Sequence, residues 1–171
     1  MNAKLLAPLL LVTALAMADE IPNRLIDYGK FETQVMRVGE LRDEHRVTED
    51  QFIRMAKAGG TVILDARSAE KFALLHVKGA RNLSLPDMTE EELAKIIPSK
   101  STRVLIYCNN NFLHQPRAFP SKLPSASLNI HTMNVLFAYG YANVYELGPL
   151  VDIAKSRLEF DGELSAPRTR T

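Results

Sequence analysis

The chain has 171 residues, 46% of them hydrophobic and 24% charged, with a formal net charge of +1. That is one domain's worth of ordinary globular composition, and the near-neutral charge gives no electrostatic preference for nucleic acid or for an anionic membrane. One cysteine excludes an internal disulfide.

Residues 1–18 read as a secretory signal peptide. Lys4 is the positive n-region, residues 5–16 form an apolar run broken at Pro8, and Ala16-Met17-Ala18 is a small-x-small cleavage site before Asp19-Glu20. The run is short for a membrane span, although an uncleaved anchor is the alternative. Cleavage leaves roughly 150 residues, enough for a sizeable core. The expected destination is outside the cytoplasm, the periplasm if the host is Gram-negative, with no membrane span after signal cleavage.

Residues 19–47 carry Leu25, Ile26, Phe31, Val35, Met36 and Leu41 at loose helical spacing, which predicts an N-terminal extension of one or two short helices. Thr48-Glu49-Asp50-Gln51 is a capping box, Phe52, Met55 and Ala56 form the apolar face behind it, and Gly59-Gly60 ends that helix. Residues 62–64 are wholly apolar and predict a strand buried on both faces. A short helix follows over 68–72, then an extended segment over 80–85. A helix capped by Thr89 runs to about Ile97, before Pro98. Residues 104–107 are the second strong strand, ending on Cys108. A polar, proline-containing loop runs to Ser125. Ser125 or Ser127 caps a helix carrying Leu128, Met133, Leu136 and Phe137, closed by Gly140. Residues 144–147 predict a third strand, 150–157 a last helix, and 161–171 a flexible tail.

Strands alternate with helices, so the expected fold class is α/β, with a mainly parallel sheet covered on both faces. In such sheets ligands gather at the carboxyl ends of strands. Cys108 sits at one of these ends, ahead of a helix N-terminus whose amides and dipole favour a thiolate, the nucleophilic form. A buried structural cysteine is the plain alternative, but Asn109-Asn110-Asn111 cannot continue an apolar strand.

Four ordered blocks carry a family resemblance. Residues 62–67 end in Asp65-Ala66-Arg67, like a strand closing on Asp-x-Arg. Glu70-x-Phe72 and His76-Val77-Lys78-Gly79-Ala80 follow, then Val104-Leu105-Ile106-Tyr107-Cys108, then Gly140-Tyr141-x-x-Val144-x-x-Leu147. Together they resemble the rhodanese-like domain family over about residues 48–158. The resemblance implies a three-layer sandwich over 48–160 and sulfur transfer through a persulfide on catalytic Cys108. The donor would be of thiosulfate type and the acceptor cyanide or a thiol, with no metal or organic cofactor. With no second cysteine to resolve a persulfide, the acceptor must be external, a small nucleophile or a protein partner's thiol. The default oligomeric state is a monomer.

The loop departs from the family's compact Cys-x-x-Gly-x-Arg pattern. Its candidate site residues are Asn109, Asn110, Asn111, Phe112, His114 and Arg117. Asn111 is expected to adopt the left-handed conformation in place of glycine. Arg117 is the first choice, ahead of His114 and Lys122, for the missing positive charge. Asp65, Arg67 and His76 read as structural residues near the site. Lys78 and Gly148-Pro149 depart from the family pattern as well. The altered loop keeps a catalytically inactive binding module as the alternative function. A cysteine phosphatase needs Cys-x5-Arg, and His114 stands where that arginine would be. Cys108, His114 and His131 match no familiar zinc spacing.

Overall fold

Five-residue apolar strands form the centre of the molecule, and their side chains alternate between the two sheet faces. In the computed structural model, which describes residues 23–165, β1 is Arg46–Val47, β2 Thr61–Asp65, β3 His76–Val77, β4 Arg81–Asn82, β5 Arg103–Tyr107, β6 Phe112–Leu113, β7 Val144–Leu147, β8 Val151–Asp152 and β9 Phe160–Asp161. The helices are α1 Tyr28–Arg42, α2 Glu49–Lys57, α3 Ala69–Leu74, α4 Glu90–Ile96 and α5 Leu128–Ala138. The central sheet has the order β1-β7-β5-β2-β4, and every pair in it is parallel. Val62, Leu64, Val104, Ile106 and Val144 face a core with Val38, Leu93, Met133 and Leu136 of α1, α4 and α5. Ile63, Leu105, Tyr107 and Leu147 face the other core, with Phe52 of α2, Phe112 and Phe119. This is the α/β, helix–sheet–helix sandwich that the alternation predicts.

The local signals act as their chemistry requires. Thr48 and Gln51 close the capping box on α2 at 3.2 and 2.8 Å. Ser68 and Thr89 cap α3 and α4. Gly140 ends α5 with φ +83°.

Four expectations change. The extension holds one helix and a 3-10 turn over Asp43–His45, within the expected one or two helices, but the helix's inner face is Gln34, Val35, Val38, Leu41 and Arg42, whereas Leu25, Ile26, Phe31 and Met36 are exposed. The extension also ends in a strand, β1, that enters the central sheet beside β7. Residues 150–157 do not form a helix: Val151 and Asp152 pair with Phe112 and Leu113 as β8, and only a 3-10 turn follows over Ile153–Lys155. The chain also stays hydrogen-bonded beyond 160. Phe160 pairs with Val77, and the Glu163 and Leu164 amides donate to Ala73 and Leu74 carbonyls. Residues 1–22 and 166–171, which include the expected leader and most of the expected tail, lie outside the described residues.

Candidate active site

β5 delivers Cys108 to the carboxyl edge of the sheet. The residue is 1% exposed and lines a cavity of about 290 Å³ between the carboxyl end of β7, the turn after β5 and the start of α5. Its Sγ lies 3.3 Å from Ser127 Oγ. Ser127 occupies the N-cap position of α5 but caps no helical amide with its side chain, so its hydroxyl is committed to the sulfur.

The three asparagines after Cys108 form a 3-10 turn. Asn111 is its bolt. Its Oδ1 accepts from the Cys108 amide at 2.9 Å and from Asn129 Nδ2 at 3.1 Å, and its Nδ2 donates to the Leu147 carbonyl at 2.7 Å and the Pro149 carbonyl at 3.2 Å. This amide side chain therefore fixes the cysteine's backbone to β7. The left-handed conformation expected of Asn111 falls instead on His114, with φ +67°. Asn110 exchanges two hydrogen bonds with the Lys122 backbone, at 2.8 and 3.0 Å, and clamps the long loop shut. Asn109 is buried, with Oδ1 unpartnered, and does not line the cavity.

The remaining loop candidates point elsewhere. Phe112 is core, with ring centroids 4.5 Å from Phe119 and 5.4 Å from Phe160. His114 is exposed and meets Asp152 at 3.1 Å, a hydrogen bond that holds the Asp152 carboxyl below its ordinary range. Arg117 is exposed and does not line the cavity, and neither does Lys122. The expected loop cation is thus absent from the Cys108 cavity, because the loop turns into β6 immediately after Asn111 and carries its basic residues away.

The cations that line the cavity come from the N-terminal extension. Arg42 closes α1 and Arg46 opens β1. Both reach Glu146 Oε1, at 2.7 and 3.0 Å. Glu146 is itself 1% exposed, and neither of its oxygens has a partner in hydrogen-bond geometry, so the arginines hold it as ion pairs. Burial raises its carboxyl pKa, and the two guanidinium groups oppose that rise without cancelling it. His45 secures the same edge: its Nδ1 donates to the Val144 carbonyl at 2.6 Å and its ring stacks on Tyr145 at 4.9 Å. Sequence reasoning missed Arg42, Arg46, Asn129 and Glu146. The one available signal was Glu146, an acid on the same strand face as the apolar Val144.

Asp65, Arg67 and Tyr107 make a separate buried unit behind the loop. Arg67 Nε donates to Asp65 Oδ1 at 2.9 Å, and its terminal nitrogens donate to Ala118 O and Leu75 O, both at 2.8 Å. Its guanidinium lies 4.1 Å over the Phe119 ring. Tyr107 donates to Asp65 Oδ2 at 2.6 Å, and burial, with the Asp65 charge adding to it, pushes the phenol well above its ordinary pKa. None of the three lines the cavity; they anchor the loop. His76 donates through Nδ1 to Phe72 O at 2.8 Å and stacks on Phe72 at 3.7 Å, also away from the cysteine.

A parallel α/β sandwich with a lone cysteine at the end of its middle strand, ahead of a helix N-terminus, defines a class of small domains. A sequence profile for the rhodanese-like domain matches residues 48–147, and the chain belongs to that family. It is 27% identical over 96 residues to the thiosulfate sulfurtransferase PspE of Escherichia coli K12, covering 56% of this chain and 77% of PspE. Among solved structures, the rhodanese-like domain of the Anabaena Alr3790 protein superposes with a TM-score of 0.50 at 16% identity, over 74% of this chain and 87% of that one. An E. coli rhodanese gives 0.41 at 21% identity, over 60% and 98%. Among the described residues no helix is long and apolar enough to cross a membrane.

Proposed function

We propose that the protein is a sulfurtransferase that carries sulfane sulfur as a persulfide on Cys108. The observation that carries this reading is the placement of the one cysteine. Its sulfur lines a polar cavity at the carboxyl end of β5, within 3.3 Å of a hydroxyl at the start of α5 and in the same cavity as two arginines. Membership of the family and the similarity to PspE support the same chemistry. In the forward half-reaction, the Cys108 thiolate attacks the outer sulfur of thiosulfate. The donor S–S bond breaks, its electron pair leaves with sulfite, and Cys108 retains a persulfide anion. Ser127 donates a hydrogen bond to the sulfur at that stage. In the second half-reaction, cyanide or a thiolate attacks the outer persulfide sulfur and departs as thiocyanate or a new persulfide, which restores the Cys108 thiolate. With one cysteine in the chain, the acceptor is external. The leader pattern extends the proposal to an exported protein, tested by sequencing the N-terminus of the native protein.

Thiocyanate production from thiosulfate and cyanide tests the activity. Wild-type turnover that disappears in Cys108→Ser is expected; equal rates in the two proteins, or none in either, would overturn the reading. One observation favours the alternative, an inactive binding module: Cys108 is almost fully buried beneath a loop clamped by Asn110.

A further inference from the structure

The positive charge in the cysteine cavity comes from outside the segment that matches the family. The match covers residues 48–147, whereas Arg42 and Arg46 precede it. Among the residues lining the Cys108 cavity, Arg42 and Arg46 are the only basic side chains and Glu146 the only carboxyl. Two guanidinium groups against one carboxylate leave one net positive charge there. The loop contributes none, since His114, Arg117 and Lys122 do not line the cavity.

The arrangement is built rather than incidental. β1 pairs with β7 in the register Arg46↔Glu146, and Gly148 N donates to Val47 O at 2.9 Å just beyond it. Glu146 is almost fully buried and draws both arginines to one oxygen as ion pairs, while neither of its oxygens has a partner in hydrogen-bond geometry. Arg42 Nε likewise has no acceptor. Arginine forks match the planar oxygens of an oxyanion, and they are stronger where water is partly excluded.

We infer that Arg42 and Arg46 recognise the oxyanion end of a sulfane-sulfur donor of the thiosulfate or thiosulfonate class, with Glu146 as the positioning residue that gathers them and moderates their charge. The inference rests on the Cys108 cavity being the sulfur-accepting site. The arginines contact the sulfonate oxygens. When the Cys108 thiolate takes the outer sulfur, the donor S–S bond breaks and its electron pair stays on the sulfite or sulfinate that leaves, whose negative charge the same arginines balance. An inorganic polysulfide has no oxygens for the forks to hold, so it gains less from them.

The test is thiosulfate binding measured by calorimetry at pH 8 in a Cys108→Ser background, where no sulfur can be transferred. Arg42→Gln and Arg46→Gln are each expected to weaken binding about tenfold, and the pair together by more. Glu146→Gln removes the opposing charge and is expected to tighten binding several-fold. A purely structural cluster would make all three weaken alike. Because a lone arginine change leaves Glu146 buried with less compensation, Arg42→Gln/Glu146→Gln provides a charge-matched control of folding, read from its melting curve. Thiosulfate binding that is absent in the parent, unchanged in the double arginine variant, or weakened by Glu146→Gln would overturn the inference. Failure of the sulfur-transfer reading looks different: thiosulfate binds through the arginines, yet the protein that keeps Cys108 produces no thiocyanate.

Discussion

At the scale of single residues, the buried charges do different work in two places. Arg67 is held by a carboxylate, two carbonyls and an aromatic face, and two of those partners, Ala118 O and Phe119, belong to the long loop. Arg67→Met therefore leaves Asp65 buried without its counter-charge and is expected to cost about 3–5 kcal/mol. Tyr107→Phe removes the charge-assisted hydrogen bond to Asp65 and the one that the hydroxyl accepts from the Val77 amide, and is expected to cost about 1.5–3 kcal/mol. Urea unfolding checks both. Glu146 gives a pH signature. Its pKa is raised above the ordinary 4.5, chiefly by burial, so between those two values the folded protein binds the proton more tightly than the unfolded chain. Its contribution to stability is complete below 4.5 and is lost as pH rises through the raised value. Urea midpoints of wild type and Glu146→Gln across the acidic range are expected to show the wild type losing ground to the variant as pH rises; the opposite trend would mean the arginines outweigh burial. Asp65, Arg67 and Cys108 were legible as sequence features because short ordered blocks frame them. Arg42 and Arg46 were not, because nothing local marks an arginine at a helix end and another at the start of a two-residue strand as neighbours of a distant cysteine. Only the pairing of β1 with β7 brings them there.

At the scale of elements, two contacts set the cavity walls. The first is the β1–β7 edge. A Cβ on Gly148 would stand 3.2 Å from the Val47 carbonyl, so Gly148→Ala pushes these strands apart. The expected loss is about 1–3 kcal/mol, read as a lowered melting temperature. The second is the turn after β5. Asn110→Ala removes both hydrogen bonds that hold the loop to Cys108's turn. Alkylation of Cys108 by a neutral thiol reagent is expected to become several-fold faster, a gate opened by loss of its latch; an unchanged rate would mean the loop does not control access. The strongly periodic strands and capped helices could be read from sequence, since burial on two faces and a cap leave a local mark. The segment 150–157 could not, because its short strand exists only by pairing with β6, a contact that leaves no periodicity behind. The same holds for β9, which takes its place from β3.

At the scale of the whole molecule, the edge strand β1 closes the N-terminal extension and brings charge to the cavity of the cysteine that the sheet presents. The fold follows from alternating apolar strands and helices, and the candidate site from the topological rule that places ligands at strand ends. The charge that the loop does not bring to the cavity comes from the N-terminal extension, across the sheet edge. Uptake of sulfur by Cys108 is the central step of the proposed chemistry. Intact mass spectrometry of the reduced protein after incubation with thiosulfate, with Cys108→Ser in parallel, reads this directly. The predicted result is a gain of one sulfur atom, reversed by cyanide and absent in the variant. A mass unchanged by thiosulfate, with Cys108 shown to be a free thiol, would contradict it.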